Sequence, residues 1–500
     1  MDEAENEELR GPRRGRVATS VAAGLALVTG IAVAASSLDE IGATPPPPAA
    51  PAVTASPPSE PPASPPPTEP AALSARAPTV YDAVEDVGRC ATTRHELPGP
   101  AGAPGFRDDV ARISTSVERV RNLEFERRVK TRLVSDEEVG RRFAGGIERA
   151  YSPAQAAIDT RVLAALRLVP EGLDLYTMSL EVARGTAAGF YNPRTERLFA
   201  RVTGAALTPY DEVVLAHEID HALVDQSLGL PWTLSADPVL GDLMLAHQAL
   251  GEGDATLAMS QYGAGTLDPA ALDAFLVRFS SPSIIGYSGV PYVLQRTSGF
   301  PYYEGFLFAC AAWQDGGWRA VDEMYARPPA STSEIVFPSR YRSEATGELP
   351  QSPSAPGERW EELVVGSYGV FDLMLMLENA DVLRTGSAEA GSHVDDVRGW
   401  NGGVLTAWSR GAKTLVHLSF LDAGVTEQGR RHRELCGVLR YWLHRTFTGA
   451  RRLRRPGNAG PGRFDVWALD DAYGGLRCAG ASVRLAVGPA DRVVRRMLRP

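Results

Sequence analysis

The spacing of apolar positions divides the chain into stretches of different character. From Val17 to Leu38 there is no charged side chain, only Ala, Val, Leu, Ile, Gly, Ser and Thr. A run of that length predicts one helix able to cross a bilayer. From 43 to 72 Pro, Ala, Ser and Thr dominate, a composition that buries no core and favours extended polyproline II backbone. From about Pro78 onward the pattern is that of a globular fold. Helical spacing covers Asp136–Ala150 and Ser152–Leu168. Phe190 to Val202 reads as a hairpin, with Asn192-Pro193 at the turn and alternation along the second arm.

The next helix is announced by its start. Thr208 stands at the N-cap, Pro209 at the first helical position and Asp211 at the third, as in a capping box. It is expected to reach Ser227, with Gly229 near its C-terminal end. A second helix is expected from Asp237-Pro238 to beyond Ala255. Later, Val404–Trp408 and Thr414–Phe420 read as strands joined by a polar turn around Ser409–Gly411, and Leu435–Leu443 as a short amphipathic helix. The predicted class is α+β, mainly helical with a small mixed sheet, preceded by one transmembrane helix.

Charge fixes the orientation expected of that first helix. Arg10, Arg13, Arg14 and Arg16 precede it, and no Lys or Arg follows until Arg76. The positive-inside rule then keeps residues 1–16 in the cytoplasm and exports the rest. Ala32-Val33-Ala34 also offers a signal-peptide cleavage site, but the apolar run is longer than a usual signal core and favours an uncleaved anchor. The expected organisation is a cytoplasmic N-terminus (1–16), an anchor (17–38), a stalk (39–77), a main domain (78–350) and a C-terminal α/β subdomain (351–500).

The net charge of −10 is spread along the chain, and the cluster Arg451, Arg452, Arg454 and Arg455 reads as a solvated loop. Nucleic acid is therefore not an expected partner. Cys90, Cys310, Cys436 and Cys478 do not sit at metal-ligand spacing. In an oxidising compartment they permit two disulfides, Cys436–Cys478 being the expected pair because both lie in the last segment. Four buried free thiols is the alternative.

The candidate chemistry lies on the helix that follows Thr208. His217 and His221 are four apart and so share one helix face, where two imidazoles can converge on one ion. Zinc suits them, one ion per chain. Glu218, beside the pair, can exchange a proton with zinc-bound water. This is the H-E-x-x-H arrangement, set between Val213-Val214-Leu215 and Ala222-Leu223-Val224 in a helix apolar enough to be buried. Glu252, on the second helix, is the expected third ligand. Gly251 and Gly253 would let that helix approach the metal helix closely. His247, five residues earlier and on another face, is the rival. Asp220, Asp225 and Asp254 are candidates to accept the outer N–H of an imidazole.

With His217, Glu218, His221 and Glu252, the chain resembles the gluzincin branch of the zincins. The phrase from Ala216 to Gln226 also resembles a set of exported bacterial proteins in which H-E-x-x-H-A-L-x-D-Q is followed by E-G-x-A. Further likeness appears at Phe300–Gly305, at Pro328–Thr332, at Phe337-Pro338 with Tyr341, and at Gly399–Gly403, so it extends from Val117 to Asp422. The resemblance implies a zincin fold with a small sheet above the metal helix. The hairpin would supply the sheet's edge, along which an extended peptide or protein substrate can align. It implies hydrolysis of peptide bonds with Glu218 as general base, and a downstream Tyr or His that stabilises the oxyanion. Tyr302 and Tyr303 are the candidates, because Pro301 and Gly305 suggest a shaped loop; Tyr287, Tyr292, His393 and His417 stay open. Two positions depart from the pattern. Asp220 is charged where the motif is usually not, and Phe337 stands where a histidine is expected before the proline. They leave an alternative reading, an inactive zincin-scaffold envelope protein kept for binding, although such a protein has no need of Glu218.

Overall fold

In the computed structural model the described residues run from 79 to 499, apart from 83–86, 93–96, 98–104, 187–188, 202–206, 232–240, 273–288, 344–348, 424, 428–429, 433 and 454–463. The expected anchor and stalk lie outside them, as do Tyr287, Arg454, Arg455 and the start at Asp237-Pro238. Among the described residues no helix is long and apolar enough to cross a membrane.

The chain is α+β. A single turn, α1 (Val87–Cys90), precedes α2 (Phe106–Arg121), β1 (Lys130–Val134), α3 (Asp136–Ala150), α4 (Pro153–Ala165) and α5 (Leu175–Thr186). Ser135 and Ser152 cap α3 and α4 by accepting the N–H groups of Glu138 and Gln155. The expected hairpin forms as β2 (Gly189–Asn192) and β3 (Arg197–Arg201). Asn192 Oδ1 accepts the Thr195 N–H across its turn. β1 runs parallel to β3 on the other side, giving a mixed three-stranded sheet with β2 at one edge.

The helix α6 (Pro209–Ser227) begins with the capping box read from sequence: Thr208 Oγ1 accepts the Asp211 N–H, and Asp211 Oδ2 accepts the Thr208 N–H. It is followed by α7 (Gly241–Thr266) and α8 (Tyr292–Ala326). Beyond the short α9 (Thr332–Val336), β4 (Glu361–Ser367) and α10 (Val370–Thr385), the strands β5 (Trp400–Arg410) and β6 (Lys413–Asp422) pair. They are longer than expected. Ser409 pairs with Thr414 and Arg410 with Lys413, so the turn narrows to Gly411-Ala412, with Gly411 at a φ of 60°. The chain closes with the hairpin β7 (Val425–Glu427) and β8 (Arg430–His432), α11 (Glu434–Thr446), β9 (Arg451–Arg452), β10 (Phe464–Ala468), β11 (Tyr473–Ala479), β12 (Ser482–Gly488) and α12 (Asp491–Met497). A seven-stranded antiparallel sheet results, in the order β4-β5-β6-β12-β11-β10-β9. One hydrophobic cluster includes Val80, Phe300, Met374, Leu418 and Leu485, and so joins the helices to this sheet across residue 350. Disulfides link Cys90 to Cys310 and Cys436 to Cys478.

Two expectations are corrected where α7 and α8 cross. Pro301–Gly305 is not a loop but part of α8. Phe300 is fully buried, Glu304 is buried against Arg296, and Gly305 lies on Ala249, so packing outweighs the backbone hydrogen bond that Pro301 forfeits. Gly253 does not face the metal helix. A Cβ placed on it would lie 2.1 Å from the carbonyl carbon of Gly305, and one on Gly305 would lie 2.1 Å from the Ala249 oxygen. The two glycines permit backbone contact between α7 and α8. Gly253→Ala is therefore expected to cost at least about 2 kcal/mol through overpacking, read as a lower denaturation midpoint; an unchanged midpoint would contradict so close a crossing.

Candidate metal centre

α6 is buried from Glu212 to Val224, except at Val214. Its two histidines meet a carboxylate from α7. His217 Nε2 lies 3.1 Å from His221 Nε2 and 3.1 Å from Glu252 Oε2, and His221 Nε2 lies 3.4 Å from that same oxygen. Three lone-pair donors thus form a nearly equilateral triangle. Tetrahedral zinc with ligands at 2.0–2.2 Å spaces its donors by about 3.3 Å. Glu252 Oε1 is buried without a hydrogen-bond partner, as is His217 Nδ1, so the triangle has unspent donor capacity. The residues fit a zinc ion. Among the described residues His217, His221 and Glu252 are the group able to hold a metal.

Glu218 lies beside the triangle and is aimed by the sheet. Its Oε2 accepts the N–H of Tyr191, on edge strand β2, at 2.8 Å. The Tyr191 hydroxyl in turn donates to Asp225 at 2.8 Å. Gly189 belongs to the same edge: a Cβ there would reach within 4.0 Å of Glu218 Cγ. A cavity of about 20 Å³ lies against Glu218, lined by Gly189, Phe199, Leu207, Val214 and Leu215 among others, and has room for one water molecule.

The structure brings Tyr302 to this centre and leaves Tyr303 away from it. Tyr302 lies close enough to feel the carboxylates of both Glu252 and Glu218. Its ring stacks on His217 with centroids 6.0 Å apart. Burial, with the charges of Glu252 and Glu218, raises its pKa, so the phenol stays protonated and remains a donor. The next residue along the helix points elsewhere, as the 100° step requires. Tyr303 packs on Tyr81, ring centroids 6.3 Å apart.

The other candidates take up different roles. His247 is held by the Pro231 backbone. Tyr292 donates to Glu378, His393 bridges Asp381 and Asp396, and His417 is buried in β6 beside Ser419. Phe337 is a core side chain with the guanidinium groups of Arg340 and Arg398 over its ring. Asp220 and Asp254 both bind Arg121. Neither Arg121 nor the Tyr191 N–H carries a motif. The one signal of Arg121 was indirect: a carboxylate at Asp220 in a buried helix demands a cation.

Comparison with protein-family models, curated proteins and solved structures finds no match to this chain.

The electrostatics of the metal-free triangle are dominated by its own members. Burial lowers the pKa of His221, but the carboxylate of Glu252 outweighs it and raises the value to about 9. Burial raises that of Glu252, and His221 and His217 bring it down to about 2. The stability His221 contributes is therefore complete below its ordinary value of 6.5 and is lost as pH rises through 9. That of Glu252 is present above its ordinary 4.5 and lost as pH falls through 2. The His221 imidazole, followed by NMR in metal-free protein, is expected to titrate near pH 9. A transition near 6.5 would contradict the pairing with Glu252.

Proposed function

We propose that this chain is a zinc-dependent peptide hydrolase of gluzincin type, held by its N-terminal helix on the outer side of a membrane. The observation that carries the reading is the triangle of His217, His221 and Glu252 with Glu218 beside it. Zinc bound there supplies a water of lowered pKa and polarises a carbonyl. Glu218 takes a proton and returns it to the leaving amine, its carboxylate held in one orientation by the Tyr191 N–H. The Tyr302 phenol, kept protonated and stacked on His217, is the donor we assign to the negative charge that develops. Strand β2 is the edge along which an extended peptide aligns, since among the described residues it pairs only with β3.

Two disulfides in one chain favour an oxidising compartment, in accord with export. The apolar run Val17–Leu38 and the arginines before it supply the anchor and its direction. The resemblance to exported H-E-x-x-H proteins supports the same assignment.

The test uses the chain without residues 1–74, as the native sequence, Glu218→Gln and Tyr302→Phe. All three are expected to bind about one zinc per chain. Cleavage of a mixed peptide library should be lost with Glu218→Gln. With Tyr302→Phe, kcat should fall by a factor of about 100, the scale of one oxyanion donor. Zinc bound with equal hydrolysis by the native form and Glu218→Gln would exclude Glu218 as the base. Zinc bound with no hydrolysis by any form would favour the inactive binding scaffold.

A further inference from the structure

The side chain that makes sense of Asp220 is Arg121, the last residue of α2. It is fully buried. Its Nη1 donates to Asp220 at 2.8 and 3.0 Å and to Asp254 at 3.0 Å; its Nη2 donates to Asp322 at 2.7 Å. Tyr325 donates to Asp254 at 2.5 Å, and the Arg121 guanidinium lies 4.2 Å from the Trp318 ring centroid. One planar fork thus holds three carboxylates from three helices, geometry that a lysine cannot reproduce.

The positions of those carboxylates matter. Asp220 is flanked on α6 by Ile219 and His221, one residue from the second histidine. Asp254 lies two residues after Glu252 on α7. Arg121 therefore joins the helix that carries both histidines to the helix that carries the third donor, within two residues of the ligands on each.

The same helix α2 makes a second clamp on the same two helices. Arg112 binds both oxygens of Glu212 on α6, at 2.6 and 3.1 Å, and reaches the hydroxyl of Tyr262 on α7 at 3.4 Å. Glu212 precedes His217 by five residues and Tyr262 follows Glu252 by ten. This clamp lies far along both helices from the ligands. The molecule thus holds one fully buried guanidinium clamp near the triangle and one part-buried clamp remote from it, both joining the same three helices.

We propose that Arg121 is a positioning residue for the metal centre: through Asp220 and Asp254 it fixes the separation of α6 and α7 so that the His217–His221–Glu252 triangle closes to zinc-binding dimensions. This rests on the metal-centre reading above. It also gives the charged residue inside the H-E-x-x-H motif a task, as the handle by which α2 holds the metal helix. The Arg112 clamp serves stability alone.

The test is zinc titration against a chromophoric chelator, with thermal unfolding of the metal-free proteins, for the native chain, Asp220→Asn, Arg121→Lys and Glu212→Gln. Asp220→Asn and Arg121→Lys are expected to weaken zinc binding by at least about tenfold, the scale at which supports of metal ligands act. Glu212→Gln should lower the melting temperature yet leave zinc affinity unchanged. Arg121→Lys keeps the positive charge, and so decides the matter if Asp220→Asn does not fold. Native affinity in both Asp220→Asn and Arg121→Lys would overturn the proposal, as would an equal loss in Glu212→Gln. A native chain that takes up no zinc would instead overturn the metal-centre reading, and the role of Arg121 with it.

Discussion

Three electron-rich atoms, two imidazole nitrogens and a carboxylate oxygen, stand within 3.4 Å of one another inside the protein. Nothing about burial or hydrophobic packing favours that. Desolvation penalises each group, and lone pairs brought together repel unless a cation or a proton lies among them. The rest of the site follows from this constraint. The helices that carry the three donors must be held rigidly, the neighbouring charges must be paired, and Glu218 beside the donors must be aimed by something other than the donors themselves.

The frame meets these demands with few devices. A capping box starts α6, and its buried face fixes its place in the core. Paired glycines bring α7 and α8 into backbone contact, which places Tyr302 against the same triangle that Glu252 completes. The three-stranded sheet contributes a single backbone N–H, that of Tyr191, to orient Glu218. The carboxylates nearby are paired: buried Asp220 and Asp254 and half-buried Asp322 share Arg121, and Glu212 binds Arg112. Breaking a buried pair of this kind leaves a charge uncompensated, at a cost of about 3–5 kcal/mol. The polar interior is thus as much a part of the scaffold as the apolar core.

Much of this was legible in the sequence because it is local. The capping box at Thr208, the helix over Asp136–Ala150, the hairpin after Gly189 and the histidines at a spacing of four all depend on residues a few positions apart. Glu252 was legible from its place on the next helix and its flanking glycines, but Gly253 was read against the wrong neighbour, since a sequence does not say which helix lies on which face. Pro301 was misjudged for a related reason: a local helix breaker is overruled by burial of Phe300 and Glu304, which local pattern does not report. Tyr191 contributes through its backbone, and Arg121 acts from 99 residues away on Asp220. Neither leaves a motif. The seven-stranded sheet was seen only as its β5–β6 hairpin; β9 and β10 are short, and β11 is interrupted by Gly474 and Gly475.

The proposed centre holds one ion between the nitrogens of His217 and His221 and the carboxylate of Glu252. X-ray absorption at the zinc edge, on native chain loaded with one equivalent of zinc, tests it most directly. Two imidazole nitrogens and one carboxylate oxygen are expected, each at about 2.0–2.2 Å, with a further light-atom position from solvent. A sulfur shell at about 2.3 Å, or a zinc without imidazole scattering, would contradict it.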